Sequence, residues 1–130
     1  MLIAADLMWS EGSLQPGLAI ETRAGRITAR RGLAGDTPDL RLPLLLPGLT
    51  DLQVNGGGGV LFNAQPEVAG IAAIAAAHRR LGTVRLLPTV ITDTPEVMEA
   101  AAEAVIVARR EGLCAVDGIH IEGPHIAPER

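Results

Sequence analysis

The sequence predicts an α/β protein in which three parallel strands alternate with two helices, preceded by a segment of short strands. Three observations predict it. From Leu44 onward, strand-like apolar runs and helical runs follow one another as β-α-β-α-β with short connections, an order that gives parallel strands joined by right-handed crossovers. The strand runs are almost continuously apolar, as in sheets covered on both faces or closed into a barrel. Two of them end in polar residues, Gln53-Val54-Asn55 and His120-Ile121-Glu122, where barrel enzymes place catalytic groups. A complete (β/α)8 barrel needs ~250 residues, so a chain of 130 residues holds about two and a half of its β-α units.

Residues 1–46 read as short β elements. Leu2 to Met8 is one, and Ser10-Glu11-Gly12-Ser13 turns it toward a second over Leu18 to Thr22. Ala24-Gly25 then turns the chain into Arg26-Ile27-Thr28-Ala29, and the Gly/Pro/Asp-rich stretch from Gly32 to Pro38 is a connection. Three short strands cannot bury a core by themselves. A longer apolar strand runs from Leu44 to Asn55 and is followed by four consecutive glycines, Gly56 to Gly59.

Pro66 to Leu81 reads as a helix with Pro66 in its first turn, Ile71, Ile74, His78 and Leu81 on one face, and Gly82 as its stop. Val84 to Ile91 is the next buried strand. Thr94-Pro95-Glu96 starts a second helix with a capping hydroxyl, a proline at the first position and an acid in the first turn. Val97, Ala101, Val105 and Ala108 form its apolar stripe, and Arg109-Arg110 before Gly112 suits its end. Ala115 to Glu122 is the last strand.

Composition narrows the function classes. Hydrophobic residues make up 48% of the chain and mean hydropathy is positive, but aromatic residues are only 2%; the core must therefore be built from Leu, Val, Ile and Ala. A formal charge of −4 disfavours nucleic acid held on a broad basic face. The longest apolar run, Leu42 to Leu49, carries two prolines and is far shorter than the ~20 residues of a membrane span. The N-terminus lacks the features of a signal peptide. One cysteine, Cys114, excludes an internal disulfide framework; it reads as a buried structural thiol in a reducing compartment. A cytoplasmic protein with no membrane and no nucleic-acid partner is expected.

Strand alternation places Asp51, Gln53 and Asn55 on one face, with Leu52 and Val54 opposite. It likewise places His120 and Glu122 on one face, with Ile119 and Ile121 opposite. The polar faces should point inward and the apolar ones toward the helices. From the residues alone Glu122 reads either as a carboxylate ligand to a metal, since anionic oxygen suits Zn²⁺ and similar ions, or as a surface glutamate preceding the Gly123-Pro124 turn. His120 lies one layer below and reads first as a packed core histidine with a satisfied hydrogen bond, second as a support to the site. His78 reads as structural. His125, past the turn, is a weak substrate-contact candidate. The glycine run matches neither the dinucleotide nor the P-loop spacing; a flexible or tightly turned loop suits it better than a phosphate cradle.

A resemblance covers these features in order. Pro47-Gly48-Leu49-Thr50-Asp51-Leu52-Gln53-Val54-Asn55-Gly56, the glycine run with Phe62-Asn63, Leu87-Pro88-Thr89-Val90-Ile91-Thr92, and Gly118-Ile119-His120-Ile121-Glu122-Gly123-Pro124 together resemble N-acetylglucosamine-6-phosphate deacetylases of the amidohydrolase superfamily. The resemblance implies an α/β fold comprising the N-terminal part of a (β/α)8 TIM barrel (residues 47–130, truncated), preceded by part of a small β-sandwich domain (residues 1–46). It implies hydrolysis of acetate from N-acetylglucosamine 6-phosphate, an amino-sugar phosphate, by an enzyme that is a homodimer at full length. It implies one divalent metal ion, Zn²⁺ with Fe, Co or Mn as alternatives, held in part by Glu122. Gln53 and Asn55 stand where many superfamily members carry a His-x-His pair; as poor zinc ligands, they suggest one metal, and they either contact a metal-bound water or substrate or only satisfy buried polar neighbours.

The resemblance also implies that the general acid–base aspartate, the other metal ligands and the phosphate-binding residues come from later strands. Pro128-Glu129-Arg130 reads as mid-loop, so a fragment without turnover is expected. A deacetylase for N-acetylgalactosamine 6-phosphate, a cyclic amidase and a non-catalytic degenerate copy remain open. A doubly wound nucleotide-binding domain is disfavoured, because the first strand–helix turn lacks G-x-G-x-x-G.

Overall fold

A computed structural model describes residues 1–124; the readings placed on His125 and on Pro128-Glu129-Arg130 lie outside the described residues. The chain divides into two compact units, Met1–Pro47 and the remainder from Gly48.

In the first unit, β1 (Leu2–Ser10), β2 (Ser13–Arg23), β3 (Arg26–Gly32) and β4 (Leu40–Leu45) form one sheet in the order β3-β2-β1-β4. Both hairpins close through two residues of positive φ, Glu11-Gly12 and Ala24-Gly25, the backbone that matches the twist of the flanking strands. The fourth strand corrects the reading of Leu44 to Asn55 as one element. Leu40–Leu45 instead pairs in parallel with β1, from Ile3↔Leu40 to Met8↔Leu45, and Pro47-Gly48 separates it from the next strand. Pro43 is tolerated there because β4 is an edge strand, where a missing donor costs no ladder bond. The buried residues of this unit are mostly small (Ala4, Ala5, Ala19, with Met8), while Trp9 and Ile27 stay 47% and 66% exposed.

The second unit opens with β5 (Leu49–Val54) and a two-rung hairpin, β6 (Gly56–Gly57) and β7 (Val60–Leu61). Helix α1 (Val68–Arg79), β8 (Thr83–Ile91), α2 (Pro95–Arg110) and β9 (His120–Glu122) follow. The large sheet has the order β5-β8-β9, and both of its pairings are parallel. Its core joins Val54, Leu86 and Val90 of the sheet to Phe62, Ile71, Ile74, Ala101, Val105 and Ala108. The apolar stripe predicted for α2 is the face that packs, and Thr94 caps it by accepting from the Val97 N–H at 3.5 Å.

Three local readings change. Helix α1 starts at Val68, so Pro66 precedes it, and Leu81 lies past its end and is 79% exposed. The last strand is shorter than predicted: Val116 makes one isolated bridge to Leu86, and regular pairing resumes only at His120. Cys114 is exposed, because it sits in the turn after α2 with its Sγ on the Gly112 carbonyl. Among the described residues no helix is long and apolar enough to cross a membrane.

Candidate functional site

Glu122 ends β9 and is reached by both amide residues singled out from the sequence. Gln53 Nε2 donates to Glu122 Oε2 at 3.1 Å, and Asn55 Nδ2 donates to the same oxygen at 3.2 Å. The strand between them in the sheet is β8, so three strands of parallel sheet bring residues 67 and 69 positions apart onto one oxygen. Glu122 and Asn55 are half-buried, Gln53 exposed.

The two outer strands reach this point differently. On β9 the ladder to β8 is regular, Thr89↔His120, Val90↔Ile121, Ile91↔Glu122, and alternation sets His120 and Glu122 on one face. On β5 the predicted alternation fails. Asp51 pairs with Leu86 and Val54 with Pro88, so three steps on β5 match two on β8, a bulge that shifts the facing of every residue across it. Its cause is local. Asp51 Oδ1 accepts the Gln53 N–H at 3.1 Å, a side-chain alternative to the ladder. Pro88 supplies no N–H on the other side of the bulge. On this edge strand of the described residues Leu52 is 65% exposed, while Val54 remains in the core.

The buried Val54 N–H finds a substitute for its lost partner. Thr89 Oγ1 accepts it at 2.8 Å, and Thr89 is itself fully buried. An unpaired amide there would be costly, so this hydroxyl makes the bulge tenable and fixes where Gln53 and Asn55 emerge.

The glycine run is not a free loop over the site. It forms the β6–β7 hairpin and lies on α1, with His78 Nε2 bonded to the Gly56 carbonyl at 3.0 Å. A Cβ on Gly57 would stand 2.9 Å from the His78 ring, and one on Gly58 would stand 3.2 Å from the Ala73 carbonyl oxygen. Close approach to a helix explains why glycine is required here, and His78 is structural as read. Beyond the hairpin, Phe62 is buried and donates its N–H to the Asn55 carbonyl at 2.8 Å.

His120 is half-buried, and its Nδ1 is enclosed with no hydrogen-bond partner among the described residues. A satisfied core histidine is therefore not what these residues provide, and a buried polar atom without a partner calls for an explanation.

As a metal centre, the described residues hold no group of three or more His, Cys, Asp or Glu side chains suited to an ion. Glu122 fits one ligand position. It brings an anionic oxygen, both amides engage Oε2, and Oε1 carries no hydrogen bond among the described residues. The orphaned His120 nitrogen lies on the same face two residues earlier.

Sequence reasoning did not single out Asn63, Thr89, Thr92 or Asp93 individually. Asn63, Thr89 and Thr92 each bond a backbone group, and their only sequence signal was membership of Phe62-Asn63 and Leu87 to Thr92; Asp93, bonded by the Asn63 side chain, had none. The Asp93 carboxyl is held below the ordinary carboxylate range, first by the Asn63 amide and then by the Thr94 N–H.

No protein-family model matches the chain. It is similar to N-acetylgalactosamine-6-phosphate deacetylase of Shewanella sp. (strain ANA-3), at 42% identity over 98% of this chain and 34% of that protein. It is also similar to N-acetylglucosamine-6-phosphate deacetylase of Haemophilus influenzae, at 34% identity over 72% of this chain and 25% of that protein. Among solved structures, N-acetylglucosamine-6-phosphate deacetylase from Pasteurella multocida superposes with a TM-score of 0.85 at 26% identity, over 98% of this chain and 35% of that one. The chain thus spans about a third of the length of the relatives it matches.

Proposed function

The chain belongs to the amino-sugar-6-phosphate deacetylase family, and from that premise we propose that it contributes part of a metal-dependent hydrolase that releases acetate from N-acetylglucosamine 6-phosphate, leaving glucosamine 6-phosphate. The observation that carries this reading is the meeting of Gln53 and Asn55 on one oxygen of Glu122. Two neutral amide donors hold a lone carboxylate in a set direction, as a ligand must be held.

Glu122 is the ligand this chain supplies to one divalent ion, zinc by preference and iron, cobalt or manganese as alternatives. When bound, that ion supplies Lewis acidity to the amide carbonyl under attack. Gln53 and Asn55 orient Glu122 and present amide groups to water or substrate. His120 supports the site from the layer below. The general acid–base aspartate, the remaining ligands and the phosphate grip come from chain outside these 130 residues, and the parallel β5-β8-β9 sheet with its two helices is the start of a (β/α)8 barrel. The first unit is one layer of a small β-sandwich. A cytoplasmic homodimer is the expected assembly.

A second reading concerns only the sugar. The similarity to the galactosamine enzyme is higher and covers more of the chain than that to the glucosamine enzyme, so N-acetylgalactosamine 6-phosphate is the competing substrate.

Acetate release from both sugar phosphates, measured with protein expressed from its complete reading frame and with the 130 residues alone, tests all of this. The longer protein should turn over one epimer preferentially and the 130-residue chain neither. No release by the longer protein would sink the deacetylase reading; release by the short chain would sink the claim that its site is incomplete.

A further inference from the structure

Asn63 makes a set of contacts that the proposed reaction does not use directly. Its side-chain Oδ1 accepts the Ile91 N–H at 2.9 Å, and its Nδ2 donates to the Ile91 carbonyl at 2.9 Å and to Asp93 Oδ2 at 2.9 Å. A carboxamide bonded to both backbone groups of one residue replaces a strand neighbour at the end of β8, and both of its N–H groups are used. Ile91 is the residue paired with Glu122. Between the two residues that Asn63 grips lies Thr92, whose N–H and Oγ1 both donate to the Glu122 carbonyl at 2.9 Å.

The same loop reaches Glu122 a second time. Asn55, at its start, bonds the carboxylate, and the Phe62 N–H ties the far end of the loop back to the Asn55 carbonyl. Segment 55–63 therefore holds Glu122 from two directions, by its carboxylate through Asn55 and by its backbone through Asn63, Ile91 and Thr92.

We propose that Asn63 and Thr92 are positioning residues that fix the Glu122 backbone so that its carboxylate is presented to the metal at a set place. The inference rests on the reading of Glu122 as a ligand. Nothing in it requires Asn63 or Thr92 to touch substrate, and their effect is transmitted through two parallel strands. Supporting residues of this kind typically change metal affinity or activity by about 10- to 100-fold when removed.

The test uses the protein expressed from its complete reading frame, with Zn²⁺ as the probe. Zn²⁺ dissociation constants of the metal-stripped protein, kcat, KM and the unfolding midpoint are measured for the wild type, Asn63→Ala, Thr92→Val and Glu122→Gln. Asn63→Ala should weaken Zn²⁺ binding about 10- to 100-fold and lower kcat while leaving KM for the sugar phosphate nearly unchanged. Thr92→Val keeps the N–H and the side-chain shape and loses only the hydroxyl bond, so a several-fold weakening of Zn²⁺ binding is expected in a protein that folds normally. Wild-type Zn²⁺ affinity and kcat in both variants, with or without a lower unfolding midpoint, would reduce Asn63 and Thr92 to structural residues and overturn the proposal. If Glu122→Gln also bound Zn²⁺ like the wild type, the ligand reading itself would fall, and the clamp with it.

Discussion

β5 and β9 are the outer strands of one parallel sheet, and the carboxylate contact joins Gln53 of β5 and Asn55 just past its end to Glu122 at the end of β9. They differ in how the side chains are aimed. β9 is short and in unbroken register, so the period of two carries Glu122 and His120 to one face with no help. β5 is longer and bulged, and Asp51, Pro88 and Thr89 rearrange the ladder beside the amides that reach Glu122. A regular ladder transmits sequence pattern directly into geometry. A bulged one depends on side-chain hydrogen bonds that look, in sequence, like any other polar residue.

The comparison is broken most severely at its meeting point. Glu122→Gln can keep an acceptor oxygen for both amide donors, which meet on one oxygen, but it puts an NH2 in place of the other oxygen and removes the anionic ligand. Activity of the protein from its complete reading frame should fall by more than the ~100-fold that bounds supporting residues, with far-ultraviolet circular dichroism unchanged. A loss of less than about tenfold would show that the carboxylate is not a ligand.

Next in size is the support on the β5 side. Thr89→Val keeps the shape of a fully buried side chain and strands the Val54 N–H, which should cost about 1–3 kcal/mol; Thr89→Ser keeps the acceptor and should recover most of it. Urea unfolding decides. A Thr89→Val protein within about 0.5 kcal/mol of wild type, the range of an ordinary surface change, would mean that the bulge has another source of stability.

The same contrast explains what could be read in advance. The alternation of strands and helices from residue 49 on, the Thr94 cap and the apolar stripe of α2 were legible because each rests on period or local chemistry within a few residues. The sequence marked Gln53, Asn55 and Glu122 as polar residues near strand ends, but neither the meeting of the two amides on one oxygen of Glu122 nor the facing of Asp51 and Leu52 was legible. The pairing of Leu40–Leu45 with β1 depends on a contact 37 positions away in sequence at Ile3 and Leu40, and no local signal announces it. Asn63 was hidden for a related reason. An asparagine after a buried phenylalanine reads as loop chemistry, and its grip on Ile91 exists only once β8 has been laid beside the loop. Cys114 misled in the opposite direction, since an apolar sequence neighbourhood does not bury a residue that falls in a turn.

A smaller effect is expected at Asp51, whose carboxylate holds the Gln53 N–H in a solvent-facing position. Asp51→Ala should cost about 0.5 kcal/mol, the low end for a net hydrogen bond, and should speed hydrogen exchange of the Gln53 amide. Exchange unchanged from wild type would assign the bulge to Pro88 alone.

The smallest effect is a titration, and it reports on the end of β8, the middle strand of the sheet. Asn63 is the first cause, and the Thr94 N–H the second, of the lowered pKa of Asp93. Both donate to the ionised carboxylate and so favour its charged form. A folded-state pKa below the unfolded one means that the stabilisation is present at pH above the ordinary carboxylate range and disappears as pH falls through the depressed value. Asp93 is exposed, so the contribution to stability is small; the titration itself is the useful quantity. In Asn63→Ala the Asp93 carboxyl, followed by carbon NMR, should titrate at higher pH than in the wild type, nearer the ordinary range. An unmoved titration would mean that the Thr94 N–H alone holds the carboxylate and that the bond from Asn63 is not formed in solution. The contact from segment 55–63 to the end of β8 would then be looser than its geometry indicates, and β9 would have to aim Glu122 by its ladder alone.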